Sequence, residues 1–130
     1  MRSWISLLRN FLNTMRKSFF SLILVWVLCS SHTNFKTMLK QHKVKYHEIV
    51  YNQARLETGN FTSRGFKQLN NPLGFTLNGK LMKFKTLKHS VTYLKDLQTR
   101  RMKKHEHWYD FLVRVKWATD KTYIDKLKQF

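Results

Sequence analysis

Apolar residues recur at steps of three and four along most of the chain after residue 33, the spacing that places side chains on one face of an α-helix. The clearest stretch runs from Tyr46 to Thr58, and its apolar positions are Tyr46, Ile49, Val50 and Ala54. Gly59 follows it, and glycine readily adopts the left-handed conformation that closes a helix. The pattern therefore predicts a helix that ends at Thr58.

Four further segments have the helical period. They span Asn34 to about Gln41, Lys88 to about Arg101, His107 to Lys116, and a last segment capped by Thr119 or Asp120. Their predicted inward residues are Phe35, Met38 and Leu39, then Val91, Leu94 and Leu97, then Trp108, Phe111, Leu112 and Val115, and finally Tyr123, Ile124 and Leu127. With the helix that ends at Thr58, the sequence predicts about five helices.

The segment from Gly74 to Phe84 has the pattern of a β-hairpin. Asn78-Gly79 lies at its centre, and this dipeptide suits a two-residue turn in which both residues need positive φ. The chain has one proline and four glycines, too few for a flexible linker to a second domain. The predicted fold class is therefore a small α+β domain, built from about five helices and one hairpin.

The first 31 residues have the pattern of an export signal. Basic residues at Arg16 and Lys17 precede a mostly apolar run from Phe19 to Leu28, and small residues follow at Ser30 and Ser31. The run has ten residues, whereas a membrane span needs about 20. We expect the protein to be exported to the periplasm or cell envelope, with an uncleaved membrane anchor as the alternative. Met15 is an alternative start of translation.

The charge of the chain indicates an anionic partner. It has 25 Lys and Arg against seven Asp and Glu, a net charge of +18, and residues 32–130 alone carry 21 basic and seven acidic residues, a net of +14. Nucleic acid, an anionic membrane surface and an acidic cell-wall polymer all fit such a charge. An exported protein meets the wall and the lipids first, and the chain has no nucleic-acid-binding motif, so we expect no nucleic acid partner.

Residue types that bind metals or form disulfides are sparse. Cys29 is the one cysteine, so an intrachain disulfide is excluded, and the six histidines form no HExxH motif. We therefore expect no metal and no cofactor. As a separate prediction, we expect the protein to be a monomer.

Glu57 continues the apolar stripe of the helix that ends at Thr58, because it lies three residues after Ala54. It also lies in the last turn, where the negative end of the helix dipole disfavours a carboxylate. Partial burial and the dipole both penalise the ionised form. A carboxylic acid that stays protonated near neutral pH is what a general acid in glycosidic-bond cleavage needs. The alternative is a surface glutamate that pairs with a lysine.

Two motifs of this chain resemble a known family. The segment "IVYNQARLETGNFTSRGFKQLNNPLGF", residues 49–75, is similar to a helix that ends in Ala-x-x-Glu-(Thr/Ser)-Gly and is followed by Asn-Asn-Leu-Phe-Gly. The segment "FLVRVKWATDKTYIDKLKQF", residues 111–130, is similar to Tyr-Ala-(Thr/Glu)-Asp-Pro-x-Tyr-x-x-Lys-Leu. Both patterns are typical of the bacterial glucosaminidase family, which are lysozyme-like peptidoglycan hydrolases of autolysin and flagellar-muramidase type. The resemblance covers residues 34–130.

The resemblance implies roles for individual residues. Glu57 matches the general acid of the family, and Asn70 and Asn71 match the paired asparagines that support the floor of the cleft. Asp120 and Tyr123 match the Asp and Tyr of the C-terminal motif, which lies near the active site. We add Phe75 and Trp117 as aromatic rings that line the cleft and bind sugar.

The chain also departs from the family pattern. Trp117 replaces the usual Tyr, Pro72-Leu73 replaces Leu-Phe, and Lys121 replaces Pro. The change at Pro72 puts the conformation of that loop in doubt.

A second carboxylate is harder to assign. Glycosidases commonly use two, but residues 60–95 contain no Asp or Glu. Asp120 is the best candidate, with capping of the last helix as its alternative role. The other routes are assistance by the 2-acetamido group of the substrate, a water positioned by Tyr123 or Asn71, or a chain of weak activity.

These residues predict an exported glycosidase, and the resemblance implies that it cleaves the peptidoglycan glycan strand at the β-1,4 bond after N-acetylglucosamine. Residues 1–31 would be the leader and residues 32–130 the catalytic domain. The alternatives are a non-catalytic wall-binding protein and a basic nucleic-acid-binding protein. Within the enzymes, a muramidase or a lytic transglycosylase would also use a single glutamic acid.

Overall fold

A computed structural model of the protein describes residues 34–130, which contain six helices and one two-stranded sheet. The elements are α1 (34–41), α2 (His47–Glu57), α3 (Arg64–Leu69), β1 (Thr76–Leu77), β2 (Lys80–Leu81), α4 (Leu87–Arg101), α5 (Trp108–Arg114) and α6 (Tyr123–Lys128). The predicted α+β class, the five predicted helices and the hairpin are confirmed. The predicted leader and the alternative start at Met15 lie outside the described residues.

Helix α2 ends where the sequence predicts, and its side chains show why. The hydroxyl of Thr58 donates to the carbonyl of Ala54 at 2.6 Å and accepts from the backbone N–H of Phe61 at 2.7 Å. Gly59, Asn60 and Phe61 then all have positive φ, between 55° and 67°. Because three successive residues are left-handed, the chain reverses sharply and leaves Glu57 as the last residue of α2.

Helix α3 is absent from the sequence prediction. It has six residues and contains Gly65, so its apolar periodicity is too short to recognise. Its boundaries are nonetheless encoded locally. The side chain of Ser63 accepts from the N–H of Phe66 at the first turn, and Asn70 ends the helix with a φ of 51°.

The hairpin has the predicted turn. Asn78 and Gly79 have φ of 51° and 73°, and the strands pair antiparallel with Thr76 opposite Leu81 and Leu77 opposite Lys80. All four strand residues are exposed, so the hairpin buries little of its own surface. Its position therefore depends on the residues that flank it, which belong to the candidate site described below.

The core lies between α1, α2, α4 and α5. The side chains of Trp108, Phe111, Val50 and Leu94 are all at most 1% exposed, and the Trp108 and Phe111 rings stack at 4.9 Å. Predicted inward residues of α1, α4 and α5 lie in this core. Among the described residues, no helix is both long enough and apolar enough to cross a membrane.

The start of α6 differs from the prediction. The residue before the helix is Thr122, two residues beyond Asp120, and its side chain makes no capping hydrogen bond. Asp120 instead accepts from the backbone N–H of Thr122 at 2.8 Å and from its hydroxyl at 2.7 Å. The carboxylate thus closes a turn that leads into α6 without itself being the N-cap residue.

Candidate active site

Glu57 lies at the C-terminal end of α2 and is exposed to solvent. The predicted partial burial is therefore wrong. The buried row of the helix continues from Val50 and Ala54 to Thr58, which is 2% exposed. Gln53, one turn before Glu57, is fully buried, whereas Glu57 itself is exposed at the position where the helix ends.

Two side chains from the C-terminal segment donate hydrogen bonds to Glu57. The Tyr123 hydroxyl donates to Oε1 at 2.5 Å, and the Trp117 indole Nε1 donates to the same oxygen at 3.3 Å. Tyr123 is the first residue of α6, which packs against α2. The structure thus brings together three of the residues predicted from sequence, although Trp117 and Tyr123 lie 60 and 66 residues from Glu57 along the chain.

The backbone around α5 directs Trp117 toward this site. Helix α5 ends at Arg114, and Lys116 has a φ of 53°. The backbone N–H of Trp117 then donates to the carbonyl of Leu112 at 3.0 Å. This bond fixes the backbone just after α5, where Trp117 lies.

Tyr123 is held as a protonated donor. Burial raises the pKa of its phenol well above the usual range, and the hydrogen bond to Glu57 raises this pKa further. The side chain of Gln53 acts on the same phenol in the opposite direction and lowers its pKa. Across the neutral pH range, Tyr123 therefore keeps its proton and donates a hydrogen bond to the Glu57 carboxyl group.

Gln53 links this site to the core. Its side-chain Oε1 accepts from the Trp108 indole at 2.7 Å, and its Nε2, which is buried, makes no hydrogen bond with the described residues. The same side chain lowers the pKa of the Tyr123 phenol, so Gln53 acts on both the core and the site. The sequence analysis missed Gln53, although a polar residue one turn before Glu57 on an apolar stripe is a recognisable signal.

Asn70 and Asn71 fasten the hairpin to the rest of the domain. Asn71 is 1% exposed, and its amide donates to the carbonyls of Phe75 at 2.8 Å and Met82 at 2.9 Å while its Oδ1 accepts from the N–H of Phe75. Asn70 donates to the carbonyl of Phe84 at 3.0 Å. These contacts hold the hairpin to the end of α3, and the role of the two asparagines in the floor of the cleft stays a prediction.

A cavity of about 230 Å³ opens between the hairpin, α4 and the Trp117 loop. Gly74, Phe75, Tyr93, Arg101 and Trp117 are among the residues that line it. A Cβ at Gly74 would lie 3.8 Å from Oε2 of Glu57, so the cavity and the carboxyl group share a border. Gly74 and Arg101 are further residues that the sequence analysis missed.

The two predicted sugar-binding rings both line this cavity, at different depths. Phe75 is 7% exposed and packs edge-on against Trp117 at 5.6 Å and Tyr93 at 4.9 Å. Trp117 is half-buried. Trp117 therefore presents the larger surface to a ligand, and Phe75 mainly supports it.

Asp120 is engaged on the protein surface. Its Oδ2 pairs with the Lys126 ammonium at 2.6 Å, and Oδ1 accepts from Thr122. These partners lower the pKa of Asp120 to about 2, with the bond from Lys126 as the largest cause. Asp120 thus orders the turn before α6, whereas its predicted alternative role was to cap that helix, and the residue at the cap position is Thr122.

Other acids and metal ligands do not gather at the cavity. No Asp or Glu is among the residues that line it, and the described part of the chain has no cluster of three or more metal-ligating side chains. The chemistry that the described site offers is proton transfer by one carboxyl group, held by two neutral donors beside an aromatic cavity.

The whole of this site lies within a region that matches a known protein family. Residues 32–130 match the glucosaminidase family, described as mannosyl-glycoprotein endo-beta-N-acetylglucosaminidase. No curated protein and no solved structure matches the chain. Because the match covers most of the chain, the protein belongs to the glucosaminidase family, a family of glycoside hydrolases, and the resemblance drawn from the two motifs is confirmed.

Proposed function

We propose that this glucosaminidase-family protein is an exported peptidoglycan hydrolase that cleaves the β-1,4 bond after N-acetylglucosamine, with Glu57 as its general acid. The observation that carries the proposal is the convergence of Tyr123 and Trp117 on one oxygen of Glu57, at the border of an aromatic cavity. Export is supported by the pattern of the first 31 residues.

The two hydrogen bonds determine which oxygen carries the proton. Oε1 accepts from both Tyr123 and Trp117, so its lone pairs are used and a proton on the carboxyl group belongs on Oε2. Oε2 is the oxygen that faces Gly74, where the absence of a side chain leaves room for the glycosidic oxygen. Glu57 would protonate this oxygen as the bond to C1 breaks.

The described residues favour the substrate itself as the second participant. No carboxylate lines the cavity, and the 2-acetamido group of N-acetylglucosamine has an oxygen that can attack C1. In this route the acetamido oxygen bonds to C1 while the leaving oxygen takes the proton of Glu57. Water then opens the cyclic intermediate and its proton returns to Glu57.

The charge of the domain suits a wall polymer. Residues 32–130 carry a net charge of +14, and the peptidoglycan of the cell envelope carries carboxylates. Long-range attraction of this kind raises the rate of encounter and weakens with salt.

Digestion of purified peptidoglycan by the full chain tests the bond that is cleaved. Products would be reduced with borohydride and read by mass spectrometry, and the proposal predicts reduced N-acetylglucosamine ends. Reduced muramic acid ends would instead indicate a muramidase, and anhydro ends a lytic transglycosylase. A folded protein that binds the wall but releases nothing would be a wall-binding protein.

A further inference from the structure

Arg101 lies on the wall of the cavity that Glu57 borders, and its side chain has no partner within residues 34–130. It is the last residue of α4, it is exposed, and it lines the cavity together with Gly74 and Trp117. Its guanidinium makes no hydrogen bond or ion pair with the residues that the structure describes. Its backbone carbonyl, by contrast, is used and accepts from Arg114 at 2.7 Å.

Arg114 lies 13 residues after Arg101 and is an arginine whose guanidinium is paired. Its guanidinium holds the Glu106 carboxylate with two bonds, at 2.6 and 2.8 Å. A fork of this kind is the geometry in which arginine binds a carboxylate most strongly. Arg101 has the same group, with no partner in the described part of the chain, and none of the residues that line the cavity is acidic.

The rest of the cavity wall suits a sugar. Trp117, Tyr93 and Phe75 contribute aromatic rings, which pack against the apolar faces of pyranose rings. A ligand that fits both features has a sugar ring and a carboxylate. Trp117 lines the cavity and donates to Glu57, and a Cβ at Gly74 would lie 3.8 Å from Oε2 of Glu57. Such a ligand would therefore lie beside the bond to be cleaved.

We propose that this cavity is a subsite for a carboxylate-bearing substituent of the glycan, and that Arg101 pairs with the carboxylate. The inference rests on the proposed function for the identity of the glycan. Peptidoglycan offers the same chemistry from two sources. One is the lactyl group of muramic acid, when its peptide has been removed, and the other is the stem peptide itself.

Binding measurements on an inactive form of the full chain test this subsite without relying on turnover. Glu57→Gln protein, alone and combined with Arg101→Gln, would be titrated calorimetrically with soluble glycan fragments in three forms. The first keeps its stem peptides, the second has been treated with an amidase to free the lactyl carboxylates, and the third has its carboxylates amidated with carbodiimide.

We expect Arg101→Gln to weaken binding of at least one carboxylate-bearing form about tenfold or more, the range of a charged hydrogen bond, and to leave the neutralised form unchanged. The form that loses affinity identifies the source of the carboxylate. Arg100→Gln is the matched control, because it removes the same charge from an exposed neighbour whose Nε donates to the carbonyl of Asp96.

Three results would overturn the subsite. They are an equal loss on the neutralised fragments, an equal loss for Arg100→Gln, and no binding of any fragment by the Glu57→Gln protein. The proposed function fails on different grounds, namely that the unmodified chain releases no fragments from the wall. A chain that binds with the predicted Arg101 dependence but does not digest would keep the subsite and lose the hydrolase.

Discussion

Glu57 and Glu106 are held in different ways within one small domain. Glu106 is bound by a cation, Arg114, through two bonds, and this partner lowers the pKa of Glu106 to about 2. Glu57 is bound by two neutral donors, Tyr123 and Trp117. The first arrangement keeps a carboxylate ionised, whereas the second fixes its orientation and adds no positive charge beside it.

The difference is informative because cations are abundant in this chain. Glu48 contacts Lys36 and Lys40, and Asp120 pairs with Lys126. Glu57 has no such ion pair among the described residues. Among the described acids, Glu48, Glu106 and Asp120 are therefore held by cations, whereas Glu57 is oriented by two neutral donors at the border of the cavity.

The largest expected effect follows from Glu57→Gln. The amide keeps the shape of the side chain but has no proton to give, so digestion of purified wall by the full chain should fall by about a thousandfold, within the range for lost general acid catalysis. Glu48→Gln is the control, since it removes a surface carboxylate, and should keep most of the activity. If wall digestion fell equally in Glu57→Gln and Glu48→Gln, Glu57 would not differ in function from the acids that are held in ion pairs.

Tyr123→Phe should have the next largest effect. It removes the 2.5 Å hydrogen bond and leaves the ring in place, so Oε1 of Glu57 loses its closest donor. We expect the rate of wall digestion to fall about 10- to 100-fold, as for loss of one well-placed donor in an active site. The thermal midpoint should change little, and a rate equal to that of the unmodified protein would show that the phenol does not orient Glu57.

Substitution of Trp117 should lower the rate of wall digestion less than Tyr123→Phe does, by an amount that depends on the replacing residue. Tyrosine keeps an aromatic ring and a donor, and it is the residue that the family motif usually has here. We expect Trp117→Tyr to retain activity within about threefold, and Trp117→Phe, which has no donor, to lose roughly tenfold. Equal rates for the two variants would show that the 3.3 Å bond from the indole does not contribute.

Glu106→Gln should leave activity unchanged and alter stability in acid. The pKa of Glu106 is about 2 in the folded protein against an ordinary 4.5, so its stabilising effect is present above about pH 4.5 and is lost as the pH falls toward 2. The melting temperature of the unmodified protein should therefore fall over this window more than that of Glu106→Gln. If the melting temperatures of the two proteins fell in parallel, the ion pair between Glu106 and Arg114 would not be a source of the acid sensitivity.

Local patterns in the sequence predict much of the fold. Helix α2 and the Asn78-Gly79 turn depend on residues close in the chain, and both follow from spacing and turn chemistry. Helix α3 was not predicted, because six residues with Gly65 in second position show little periodicity. The start of α6 is shifted because Asp120 closes a turn where a cap was expected.

The site is less accessible to sequence reasoning, because its geometry depends on distant residues. The motifs identify Glu57, Trp117 and Tyr123, but the spacing of α2 alone does not show that Glu57 itself is exposed, and so its burial was predicted wrongly. Gln53 and Arg101 were missed for the same reason. Gln53 is significant because it bonds to Trp108, and Arg101 because it lines the cavity, and both features depend on the folded structure.

A substrate whose leaving group needs no proton gives the most direct test of Glu57. Rates of the full chain and its Glu57→Gln variant would be compared on wall glycan and on a dinitrophenyl glycoside of an N-acetylglucosamine oligosaccharide. A general acid role predicts a loss of about a thousandfold on the wall glycan and a much smaller loss on the activated glycoside. An equal loss on both substrates would show that Glu57 serves binding or another step, and would contradict its role as the proton donor.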